Sequence, residues 1–244
     1  MISTVVAGVL LAWTPTGGHD LVDSLRKADS LRVLSVKESL DGDVALGRPI
    51  EHADDRAALL TQPESFSRLV TKYQGAPVGR LDLTIVAEGG RSRVRVVDIR
   101  PRVARRLPVL TGSYFRPESA GEAGVISMKS DLDRPDSRFR LPGKSDRLYF
   151  STKQIELARG EQVTLLLTFE AKKAFYEFDL VATLIADGRE YQQVIERKSG
   201  GKFRVTGAAK DYRRYHQTYE GDGFSWSPMS RLGKCRIFPK SKGC

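Results

Sequence analysis

The chain contains no asparagine in its 244 residues, so N-linked glycosylation has no acceptor here. Cysteine is scarce: Cys235 and Cys244 alone cannot build a dense disulfide scaffold or a four-cysteine zinc site. There is no Cys-x-x-Cys, so a dithiol redox centre has no motif. The three histidines, His19, His52 and His216, are scattered, which argues against a multi-histidine metal centre. The motifs G-x-S-x-G, H-E-x-x-H and G-x-G-x-x-G are missing. A Gly-Lys-Ser run occurs at 143–145, but Arg138 stands where a phosphate-binding loop needs its first glycine. The residues after it, 148–150, read as extended rather than helical, so the run is a turn. No repeat of 20–50 residues is visible.

Long hydrophobic runs are also lacking, with one exception. Residues 1–18 carry no charge, and 2–13 (ISTVVAGVLLAW) are almost wholly apolar. A bilayer-spanning helix needs roughly 20 such residues and a signal core about 7–15. No Lys or Arg precedes the run and no A-x-A-like site follows it. It reads as part of a membrane helix or as a signal-like segment, with Trp13 and the Pro15-Thr16-Gly17-Gly18 stop at the membrane exit. A buried element of the main domain is the alternative. Cys235 and Cys244 have eight residues between them. In an oxidising compartment they would close a small loop worth roughly 2–3 kcal/mol, and in a reducing one they would remain thiols.

What the chain does contain is apolar residues enough for a core, 40% of the total, and a basic balance of +10. Residues 31–36 alternate as a first strand. Phe66, Leu69, Val70 and Tyr73 recur at helical spacing between Pro63 and Gly75, which predicts a short helix. From Pro77 the period becomes two. Leu81, Leu83, Ile85 and Ala87 share a face. Residues 91–100 return as a strand whose apolar parity switches from Val94 and Val96 to Val97 and Ile99, as a bulge would make it do. Five prolines between 101 and 142 predict loop and short edge strands. Extended segments follow at 148–157, 163–169, 176–184, 191–196 and 203–205, with Asp187-Gly188 as a hairpin turn. The expected fold is mainly β: an antiparallel immunoglobulin-like β-sandwich over 76–207, preceded by a hydrophobic segment (1–18) and a linker with the first strand and helix (19–75), and followed by a basic aromatic tail (208–244).

The stretches LDRPDSRF (132–139), RLYFSTKQIELARGEQVTLLLTF (147–169), FYEFDLVATLIADGRE (175–190) and GGKFRVTG (200–207) resemble an uncharacterised group of actinobacterial proteins. The upstream VRVVDIRPRVARRLPVLTG (94–112) fits the same group. These place an immunoglobulin-like domain outside the membrane, often after one N-terminal membrane helix. The resemblance covers about 62–207 and implies an extracytoplasmic β-sandwich. It carries over no catalytic residue.

Two basic clusters are the candidate binding surfaces. Arg91, Arg93, Arg95, Arg100, Arg102, Arg105 and Arg106 crowd one segment, with Arg93 and Arg95 on one strand face. In 207–244, eight Lys and Arg oppose Asp211, Glu220 and Asp222, and Tyr212, Tyr215, Tyr219, Phe224 and Trp226 are interleaved. The residues expected to meet an anionic partner are Arg93, Arg95, Arg102, Arg105, Arg106, Arg213, Arg214, Tyr215 and Trp226. Asp131, Asp133 and Asp136 form an acidic loop without the glycine and terminal glutamate of a calcium-binding loop, and read as solvated turn residues. The sequence therefore predicts a non-catalytic binding module without metal or cofactor, tethered to or secreted across the membrane. Its partner would be a protein, an anionic lipid or a cell-wall polymer. The alternative is a soluble cytoplasmic protein whose basic aromatic tail binds nucleic acid. A third reading is an enzyme with an unrecognised site.

Overall fold

The computed structural model describes residues 30–62, 64–117, 126–141, 143 and 146–244. The expected hydrophobic segment at 1–18, Pro63, and three of the four residues at 142–145 lie outside them. Among the described residues, no helix is long and apolar enough to cross a membrane.

The protein is mainly β, built from several sheets with mostly antiparallel pairing. One sheet runs in the order β1 (Leu31–Glu38), β4 (Arg80–Gly89), β9 (Gln162–Glu170) and β7 (Ile126–Asp131). A second runs β11 (Arg189–Ile195), β10 (Phe175–Ala186), β5 (Arg93–Leu107) and β8 (Ile155–Ala158). In it, β12 (Phe203–Thr206) lies beside the first half of β10. The alternation read from the sequence becomes burial: Leu81, Leu83 and Ile85 of β4, Val94, Val96 and Ile99 of β5, and Leu180, Ala182 and Leu184 of β10 join one apolar cluster with Leu165, Leu167 and Phe169 of β9. The two sheets thus share a single core, and removing that apolar area from water drives their association.

Local chemistry accounts for the turns. Asp187 and Gly188 adopt φ of 50° and 71°, the left-handed pair that a two-residue hairpin with right-twisted strands requires. The expected bulge is present, since Asp98 pairs with Thr183 and Val96 with Leu184, leaving Val97 as the extra residue.

Three expectations are corrected. First, β5 does not end near Pro101. It runs to Leu107, because β10 supplies pairing partners along its full length. Second, residues 148–157 are not one extended stretch: Tyr149–Ser151 form a 3-10 turn before β8.

Third, residues 208–244 are not a tail. A third sheet has the order β14 (Trp226–Pro228), β13 (Gln217–Gly221), β6 (Ser113–Arg116), β2 (Val44–Ala45) and β3 (Ala76–Pro77). β13 pairs parallel to β6. Successive residues of β6 point to opposite faces. Phe115 enters one core with Tyr219, Trp226 and residues of the helices α1 (Ala53–Thr61) and α2 (Ser65–Lys72). Tyr114 enters the other with Tyr215, Met229 and Phe238, the last just after α3 (Arg231–Ile237). The boundaries expected at 76 and 207 are therefore crossed by a sheet that draws strands from both sides of each. Cys235 and Cys244 are bonded, with their Cα atoms 5.2 Å apart.

Candidate anion-binding face

The outer face of the second sheet collects arginines from both parities of β5, and two bulges are the reason. Side chains alternate along a regular strand, so Arg95 and Arg100, five positions apart, would point to opposite faces. The extra residue Val97 reverses the parity between them. Arg102 and Arg105 would likewise be opposed, but Glu177 pairs with Arg105 and Phe178 with Val103, so Ala104 is a second extra residue. The partners of Arg95, Arg100, Arg102 and Arg105 are Ile185, Val181, Asp179 and Glu177, alternate residues of β10 that share one face. Four arginines that the plain alternation scatters are thereby aligned on the side away from the core.

The carboxylates of β10 lie between cations of its two neighbours. Glu177 accepts from Arg105 Nη1 at 3.1 Å and from Arg204 Nε at 2.9 Å. Asp179 accepts from Lys202 Nζ at 2.7 Å and from Arg102 Nη2 at 3.2 Å. Lys202, and after it Arg102, hold the Asp179 carboxyl below its ordinary pKa against the opposing effect of burial. Arg100, Arg102, Arg105, Lys202 and Arg204 thus share this end of the face with Glu177 and Asp179, a local excess of positive charge. The carboxylates are largely covered while the side chains of Arg102 and Arg105 are 60% exposed. A guanidinium carries five N–H donors, so each retains donors for an incoming anion.

Of the residues expected at a binding surface, Arg93, Arg95, Arg102 and Arg105 do come together on this sheet. Arg93 and Arg95 both pair with Glu156 of β8. Arg106 is turned to the other side, its guanidinium 5.9 Å from the centre of the Tyr176 ring. Arg213 closes on Asp211 through Nε and Nη2, at 3.0 and 2.5 Å, and Arg214 is exposed in the same turn, apart from the strip. Tyr215 and Trp226 are corrections, because both are buried. Tyr215 packs on Tyr114 at 4.9 Å between ring centroids, and its hydroxyl accepts the Ala209 N–H. Trp226 packs on Phe66 at 4.6 Å. With Tyr219 stacked on Phe115, three of the five rings that a nucleic-acid reading needs as stacking platforms face other rings in the core, while Phe224 is exposed. Lys202 and Arg204 were missed as site residues. Their signal was the alternation of Lys202 and Arg204 with the apolar Phe203 and Val205, which puts both cations on the outer parity.

The acidic loop has structural work. Asp133 accepts the N–H groups of Lys172 and Lys173 and the Tyr176 hydroxyl, and Asp136 is held at about 2 chiefly by Arg138. Among the described residues, no group of three His, Cys, Asp or Glu side chains is placed to hold a metal ion. His216 lines a shallow cavity with Tyr212, Arg213 and Lys234, remote in sequence from the acidic loop. The chain matches no protein-family model, and no curated protein or solved structure matches it.

Proposed function

We propose that this protein is a non-catalytic binding module of the extracytoplasmic face of the membrane, tethered or secreted, with an immunoglobulin-like arrangement of its two main sheets. Its partner is a linear polyanion of the cell surface, an acidic wall polymer that lies along β5. The observation that carries this reading is the alignment of Arg95, Arg100, Arg102 and Arg105 by the bulges at Val97 and Ala104. A row of guanidiniums on a paired strand is held at fixed intervals, so it meets repeating anionic groups with little ordering cost. The bonded Cys235–Cys244 pair supports an oxidising compartment.

The test is binding of poly(glycerol phosphate) to the full chain and to the triple variant R102Q/R105Q/R204Q across a salt series. Each phosphate contact removed flattens the dependence of log Kd on log salt, as it does for other polyanions. The variant is expected to bind roughly tenfold or more weakly at low salt, with a shallower slope. Equal affinity and slope in a variant with wild-type unfolding behaviour would overturn the reading.

A further inference from the structure

The most exposed large apolar side chains among the described residues belong to the β13–β14 hairpin and to α3, two elements joined through Glu220. Phe224 is 85% exposed and Leu232 82%, whereas the next, Leu34, is 45% exposed. Phe224 sits at the tip of the β13–β14 hairpin. The Asp222 carboxylate is turned back into that tip, where it accepts the N–H groups of Phe224 and Ser225 at 2.9 and 2.7 Å and the Ser225 hydroxyl at 3.1 Å. These bonds fix the turn and hold the Phe224 backbone in place.

Leu232 lies in the first turn of α3, which is held equally firmly. Ser230 Oγ accepts the Gly233 N–H at 3.0 Å, and Gly233 is buried so tightly that a Cβ there would stand 3.0 Å from Glu220 Oε2 and 3.1 Å from Met229 Cγ. Glu220 belongs to β13, two residues before the hairpin tip, and its other oxygen accepts the Ser230 N–H. The buried face of the turn is therefore set, and Leu232 is left outward beside the hairpin.

Cations outnumber carboxylates around these two side chains, and the carboxylates present, Asp222 and Glu220, are turned onto backbone N–H groups. From Gly223 to Cys244 there is no Asp or Glu, while Arg231, Lys234, Arg236, Lys240 and Lys242 are all present. Arg236, Lys240 and Lys242 are exposed, and among the described residues none is ion-paired with a carboxylate. The Cys235–Cys244 bond folds the end of the chain back, bringing Lys240 and Lys242 alongside α3.

We propose that these two elements seat on an anionic lipid bilayer, with Phe224 and Leu232 inserted among the headgroups and Arg236, Lys240 and Lys242 against lipid phosphates. Exposed apolar side chains accompanied in the same segment by exposed, unpaired cations match the layered chemistry of such a surface, apolar below and negative above. The surface is separate from the arginine row of β5, so either proposal stands without the other.

The test uses the full-length chain and its F224W variant with vesicles of phosphatidylcholine containing phosphatidylglycerol, and with vesicles of phosphatidylcholine alone. Subtracting the wild-type signal removes the emission of Trp13 and Trp226, and the pure phosphatidylcholine vesicles read any partitioning of the apolar run at 2–13. The expected result is that the difference emission moves to the blue and is quenched by acyl chains brominated near the headgroup, with anionic vesicles only. In the F224W background, K240Q/K242Q should raise the anionic lipid concentration needed for half-quenching, by roughly tenfold at low salt. A difference emission from the introduced indole that stays fully hydrated at saturating anionic lipid would overturn the proposal. Equal quenching by pure phosphatidylcholine would overturn it too, since the cations would then play no part.

Discussion

Phe115 and Tyr219 stack with 5.0 Å between ring centroids and 12° between ring planes, one on β6 and the other on the parallel strand β13 beside it. This pair ties the C-terminal segment to the middle of the chain. Replacing Tyr219 by Ala removes a buried ring from a core that also holds Phe66 and Trp226. The loss is expected to be roughly 3–5 kcal/mol, the range for a buried aromatic cut to alanine. Urea unfolding followed by tryptophan fluorescence checks it, and an unchanged midpoint would mean that the Tyr219 ring contributes nothing to the fold.

Glu177 holds Arg105 and Arg204 together while cancelling part of their charge. The substitution E177Q should therefore act in opposite directions on stability and binding. It leaves two guanidiniums without their shared carboxylate, which lowers stability by about 1 kcal/mol because the amide oxygen that replaces it still accepts a hydrogen bond. It also adds one net positive charge to the face, which should tighten poly(glycerol phosphate) binding roughly fivefold at low salt. Thermal melting and the same binding assay read the two effects. Weaker binding would show that Glu177 organises the face rather than restrains it.

Tyr73 predicts the alkaline behaviour. Burial first, and then the hydrogen bond that its hydroxyl donates to Asp55 at 2.6 Å, push its pKa up to about 12. In the unfolded chain a tyrosine ionises near 10. The folded state therefore holds the proton more tightly, and the stability this represents is complete below about pH 10 and is lost as pH rises towards 12. Denaturant midpoints should fall across that window. In Y73F the slope due to this group should vanish, while stability at pH 7 drops by roughly 1–2 kcal/mol because Asp55 loses a donor. A wild-type slope in Y73F would assign the alkaline loss to other tyrosines.

The disulfide closes a short loop between α3 and Cys244, so its effect should be local. In C235S/C244S the chain-entropy argument gives a cost of roughly 2–3 kcal/mol, borne by α3 and the residues after it. Hydrogen exchange should quicken across 231–244 while β5 and β10 keep their protection. Equal exchange rates in the variant would show that helix packing alone, through Phe238 on Tyr114, secures this end.

The sequence carries a signal for one of the two bulges and none for the other. At Val97 the flanking residues are apolar and face a core, so the insertion shows as a change of parity from Val94 and Val96 to Val97 and Ile99. Around Ala104 the strand outruns the core, and all residues from Arg102 to Leu107 are exposed. With no buried face there is no apolar pattern to break, and only the pairing with β10 reveals the extra residue. The order of the C-terminal segment is hidden in the sequence for a related reason. Its strands are short and its composition basic, and the partner that orders it, β6, lies about a hundred residues upstream.

By itself the sequence determined the mainly β character, the strands with a period of two against a core, the Asp187–Gly188 hairpin and the basic balance. All of these arise from interactions between near neighbours, or from composition. Only the tertiary structure decided which arginines share a face, that Tyr215 and Trp226 are packing residues, and that Phe224 and Leu232 remain uncovered. Those properties depend on strand register and on which distant surfaces meet, and the same cations and rings are written identically in the chain whether they end up inside or out.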